Sequence, residues 1–195
     1  HRAAHVARCA VDREYDPEAY LDELREEFPR LRIIHKDGDA LSLAIDRFLR
    51  VVTFGGQSRY CAGYVTTIGQ TIYLPNGWAK RCADDRYITL RHEAVHLRQF
   101  RRLSLVGMSL LYLLPILPLG LAYGRARLEW EAYEETLCAT AQVHGIERAA
   151  DPMLRARIVT QFVGPAYGWM WPFRSSVESW IDDALAYIRA EQNWG

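Results

Sequence analysis

Lysine is almost missing from this chain: Lys36 and Lys80 stand against 22 arginines. The bias fits a GC-rich bacterial genome and gives no sign of a lysine-based mechanism. Cysteine is scarce as well. Cys9, Cys61, Cys82 and Cys138 contain no CxxC pair, too few and too scattered for the disulfide framework of a small secreted domain. They read as buried or idle thiols, with a Cys61 to Cys82 disulfide as the alternative. Net charge is also absent, because 24 basic residues balance 24 acidic ones. No global field draws a nucleic-acid backbone, which argues against a DNA- or RNA-binding module. The sequence opens on His1 without a secretory h-region, and is read as a processed or trimmed chain, cytoplasmic or membrane-associated. Repeats and low-complexity tracts are lacking too.

What is present points to a folded protein. Half of the 195 residues are apolar and 12% are aromatic, enough to build a core and to exclude disorder. The length suits one compact domain over residues 1–195. The apolar content is unevenly spread. Leu103 to Tyr123 runs 21 residues without a charge and holds nine leucines.

Local signals outline an α+β fold dominated by helices. Asp16-Pro17 is a cap followed by Pro at the first helical position, and Tyr20, Leu24 and Phe28 share a face until Pro29. Leu31 to His35 reads as a strand, closed by Asp37-Gly38-Asp39, and Leu41 to Val52 as an amphipathic helix broken by Gly55-Gly56. Tyr64 to Ile68 and Thr71 to Leu74 flank Gly69-Gln70, a pair suited to a two-residue hairpin turn. Helices are expected over about Arg86 to Arg102, Arg125 to His144 with Gly145 as the stop, Asp151-Pro152 to Val163, and a last one opened by a Ser175/Glu178 capping box. Trp169 to Phe173 reads as a core plug, with a substrate-pocket wall or a membrane-interface belt as the alternatives.

The sharpest chemical signal is His92-Glu93-Ala94-Val95-His96. Helical residues four apart share a face, so both imidazoles can bind one Zn²⁺ while Glu93 reaches the metal-bound water as general base. A catalytic zinc needs a third protein ligand and one open position. No HxxGxxH continuation follows His96, so the search moves to a downstream carboxylate. Glu129-Trp130-Glu131-Ala132-Tyr133 lies 33 residues further on, in the second long helix. Glu129 is the first choice, with Tyr133 one turn on as a hydrogen-bonding partner to the ligand. Glu131, with Glu135 as its i+4 partner, is the competing register, and Glu134 is a third.

Taken together, His92 to Glu135 and the hairpin before them resemble the gluzincin metallopeptidases. The likeness is to the membrane-associated families that include the prenyl-protein endopeptidases and the heat-shock quality-control protease. The resemblance implies a zincin-like domain with a small sheet ahead of the HExxH helix, zinc as cofactor, Glu129 as third ligand, and peptide-bond hydrolysis. Tyr133 is a departure, since those families usually carry Asp there.

A zincin mechanism also wants a donor for the oxyanion, for which Tyr167 and His144 are the candidates. An extended peptide is the expected substrate, paired along Thr71 to Leu74 by strand addition, with an ordinary internal strand as the alternative for that segment. The competing function is a non-catalytic zinc-binding scaffold or pseudoenzyme.

Leu103 to Tyr123 meets the length of a membrane span of about 20 residues. A straight span would put His96 and Glu129 about 30 Å apart, whereas zinc needs both within about 2 Å. The stretch is therefore expected to bend, with Pro115 and Pro118 as break points. Membrane association through residues 103–123 and burial in a core both remain open for the bent form.

Overall fold

The computed structural model describes residues 15–36, 65–113, 123–164 and 170–192. The expected helix Leu41 to Val52, Cys61, Tyr64, Pro115, Pro118, Tyr167 and Trp169 lie outside them. The described part is mostly helical with one small sheet, an α+β fold. The chain forms two compact units, His1–Arg101 and Arg102–Gly195.

In the first unit, α1 spans Pro17–Glu27, and Asp16 caps it by accepting from the Glu18 N–H at 3.0 Å. Three strands follow: β1 (Arg32–His35), β2 (Thr66–Ile68) and β3 (Thr71–Leu74), in the order β1-β3-β2. The β2-β3 pair is the predicted hairpin. Ile68 sits opposite Thr71, and Gly69 takes the left-handed φ of 61° that a side chain would strain. The β1-β3 pair is parallel, with Ile33 opposite Ile72. β3 is thus the central strand, bonded on both sides, so the expectation that Thr71 to Leu74 offers an edge to a substrate is corrected. β2 is the outer strand on that side among the described residues.

After a 3₁₀ turn at Trp78–Lys80, α2 runs Ala83–Leu113. It starts three residues earlier than expected because Asp84 and Asp85 occupy its first turn, where carboxylates favour the positive helix end. Tyr87, Leu90, Ala94 and Leu97 recur at three- and four-residue spacing and are all buried. Leu90, Ala94 and Leu97 form one core with Ile72, Leu74, Trp78 and the Leu21, Leu24 and Phe28 face of α1. Each such leucine contributes about 1.5–3 kcal/mol by leaving water.

Glu27 at the end of α1 receives Arg98 at 2.7 Å and Arg101 at 2.9 Å, both from α2. The Arg98 hydrogen bond, with help from Arg101, holds the Glu27 carboxyl below its usual range despite partial burial. Its stabilising effect is present above the ordinary carboxylate range and fades as pH falls through the lowered value.

The helix is broken at Ser104, whose φ of 62° and ψ of 170° are not helical. Its hydroxyl lies 3.4 Å from the Gly107 N–H, in the manner of a cap for the second arm. The predicted end at Arg102 thus falls two residues before a real interruption.

In the second unit, α3 (Tyr123–His144), α4 (Ile146–Ala149), α5 (Pro152–Val163) and α6 (Arg174–Gln192) assemble around an aromatic core. Gly145, at φ 85°, ends α3 as expected. Asp151 caps α5, accepting from the Met153 N–H at 2.6 Å. Trp130 lies 5.6 Å from Trp180 and 6.4 Å from Phe162, ring to ring. Met170 is fully buried and Trp171 stacks on Trp180 at 5.9 Å, so this part of the aromatic run enters the core. Phe173, at 51% exposure, does not.

The capping-box expectation fails. α6 begins at Arg174, which puts Ser175 inside the helix instead of at its cap.

A Cβ added at Gly124 would meet Leu111 Cδ2 at 2.8 Å, so the start of α3 lies directly against Leu111 of α2. Leu105, Val106 and Leu110 on the second arm of α2 are more than half exposed. No helix among the described residues is long and apolar enough to cross a membrane.

Candidate metal centre

The first arm of α2 places its chemistry by helical phase. Glu93 follows Leu90 by three residues and precedes Leu97 by four, so it shares the core-facing stripe and is 5% exposed. There it meets the sheet: the Thr67 hydroxyl on β2 donates to Glu93 Oε2 at 2.7 Å. Burial pushes the Glu93 carboxyl above its usual range, opposed by the neighbouring His96, the Thr67 hydrogen bond and the charge of Lys36.

His92, His96 and Gln99 form the adjacent stripe at spacings of four and three. The two imidazole centroids are 5.0 Å apart. His96 is buried, and its Nδ1 lies 2.9 Å from the Oε1 of Gln99, itself 2% exposed. An amide oxygen only accepts, so this contact favours the tautomer with its proton on Nδ1, in which Nε2 is the nitrogen that can bind a metal.

α3 also carries two buried stripes. Ala126, Trp130, Leu137 and Ala141 enter the aromatic core of their unit. Glu129, Ala132, Thr136 and Thr140 make the second, at spacings of three, four and four, and Glu129 is 2% exposed. The Thr136 and Thr140 hydroxyls donate to the carbonyls of Ala132 and Thr136, one turn back.

Among the described residues, His92, His96 and Glu129 each offer a ligand atom, and these atoms all lie within 4.8 Å of one another. A tetrahedral zinc with bonds near 2.0–2.1 Å spaces its ligand atoms by about 3.3 Å, within about 1.5 Å of that upper bound. Two imidazoles and one carboxylate fit the donor preference of zinc and leave a fourth position open. The residues present therefore fit the metal that the motif implies.

Glu131 and His144 are outside that cluster. Glu131 takes Arg102 at 3.3 Å instead of joining the cluster. Tyr133 turns its ring to Phe162, 5.6 Å away in the aromatic core. His144 is exposed at the end of α3, fifteen residues and about 22 Å of helix beyond Glu129. It cannot donate to an oxyanion at a metal held by Glu129, and that expectation is withdrawn. Cys82 and Cys138 are not in disulfides.

Sequence reasoning missed Thr67 and Gln99. Gln99 had a readable signal, since its i+3 spacing puts it on the face of His96. Thr67 had none, because only the packing of the sheet on α2 brings it to Glu93. Gln99→Leu is expected to weaken zinc binding about 10- to 100-fold, the usual loss for a partner that orients a ligand. A competition titration against a chromogenic chelator measures it, and an unchanged affinity would show that Gln99 does not set the His96 tautomer.

No protein-family model matches this chain, and no curated protein or solved structure matches it either.

Proposed function

We propose that this chain is a zinc-dependent metalloendopeptidase in which Glu93 is the general base. The observation that carries the reading is the convergence of His92, His96 and Glu129, with a buried carboxylate beside the first histidine. A purely structural zinc site has no use for that carboxylate, which counts against the scaffold alternative.

His92, His96 and Glu129 would hold the ion, which when bound supplies Lewis acidity, lowering the pKa of nearby water to about 7 and polarising the scissile carbonyl. Glu93 accepts a proton from the attacking water as its oxygen bonds to the carbonyl carbon. It then returns that proton to the amide nitrogen as the C–N bond breaks, so one water is consumed and an acid and an amine are released. Burial of Glu93 raises the proton affinity of its carboxylate and suits it to both transfers. An extended peptide laid along β2 would pass close to Glu93, because Thr67 of that strand touches it.

The test is cleavage of an unfolded protein such as casein by the full chain with zinc. Activity should vanish with a chelator and return when zinc is restored. Tight zinc binding without turnover on any member of a peptide panel would favour the scaffold instead.

A further inference from the structure

β2 is tied on both of its faces. Successive strand residues point to opposite sides of a sheet, and here each of two consecutive threonines has a partner. Thr66 accepts from Lys36 Nζ at 3.1 Å, and Thr67 donates to Glu93 Oε2 at 2.7 Å. Lys36 is itself 1% exposed and anchored through its backbone N–H, which donates to the Leu74 carbonyl at 2.9 Å. In a chain that uses arginine for 22 of its 24 basic residues, this buried position carries one of the two lysines. Through its bond to the Thr66 hydroxyl, Lys36, next to the end of β1, ties down Thr66 of β2.

The consequence falls on the carboxylate. The terminal torsion of a glutamate is broad and nearly two-fold, and left to itself it presents either oxygen. A hydroxyl at 2.7 Å removes that freedom by engaging Oε2.

We propose that Thr67 is a positioning residue for the general base: it holds Oε2 of Glu93, so that Oε1 is the oxygen that receives the proton from the attacking water. The inference rests on the peptidase reading of Glu93. It adds that the sheet, through β2, orients the base that the helix supplies.

Two measurements on the full chain test it. In zinc-loaded protein, Thr67→Val removes the hydroxyl at constant shape and lowers kcat about 10- to 100-fold while KM stays within about twofold, as expected for a misplaced reacting group. Thr67→Ser, which keeps the hydroxyl, recovers most of the loss. In metal-free protein, urea unfolding of T67V, E93A and the double variant forms a cycle that does not depend on activity. The Thr67–Glu93 contact predicts non-additive losses, with coupling of at least about fivefold in the unfolding constant. Additive losses overturn the contact. Coupling with an unchanged kcat in T67V, or a T67S variant as impaired as T67V, overturns the positioning role. Coupling in a wild-type chain that binds zinc but cleaves nothing overturns the peptidase reading, and the proposal with it.

Discussion

Glu93→Gln is expected to reduce peptide hydrolysis about 10²- to 10⁴-fold, the range of a general base, while zinc stoichiometry stays unchanged. The substitution suits the question because the amide nearly matches the carboxylate in shape, and its oxygen still accepts from the Thr67 hydroxyl. What it removes is the capacity to take a proton near neutral pH. Glu93 is also not one of the three clustered ligand residues, so the substitution leaves the ligand set intact. Metal analysis and kcat/KM on the same preparation measure both halves. Full activity in the Gln variant would falsify the assignment of the base. Loss of zinc together with activity would instead make Glu93 a ligand or a structural support.

The second large effect belongs to Glu129. Glu129→Gln exchanges a buried charged oxygen donor for a neutral amide, and zinc affinity should fall by more than the roughly 100-fold seen when a merely supporting partner is lost. That corresponds to at least about 2.7 kcal/mol of binding free energy. Glu131→Gln is the internal control. Its carboxylate pairs with Arg102 at 3.3 Å, with 61% and 34% of the two side chains exposed, and such a pair contributes about 0–1 kcal/mol. Zinc affinity in that variant should stay within about threefold of wild type. Titration of both proteins under one set of conditions separates the two registers of the Glu-rich helix. The reverse ranking would move the third ligand to Glu131.

The effects differ because burial differs. Spacing alone leaves Glu129 and Glu131 close rivals, two residues apart on one helix. A rotation of 200° separates them, and tertiary structure buries the first while leaving the second at the surface with an arginine. The same reason removes His144. It is a plausible donor by residue type, but fifteen residues of straight helix carry it away from Glu129. Thr71 to Leu74 is a comparable case: hairpin chemistry is readable from Gly69-Gln70, yet nothing local announces that β1 will pair on the other side and make β3 internal.

Where local chemistry governs, the sequence alone was sufficient. Asp16-Pro17 and Asp151-Pro152 start helices because a carboxylate cap and a fixed φ act within one turn. Gly145 ends one because it accepts a positive φ, and His92 and His96 share a face because four residues make about one turn. Tertiary structure alone decided which glutamate joins the two histidines, which strand has an outer edge, and that Thr67 meets Glu93. Those outcomes depend on segments 26 to 39 residues apart in the chain coming together. Local periodicity sets the face a residue occupies, and only packing sets what that face meets.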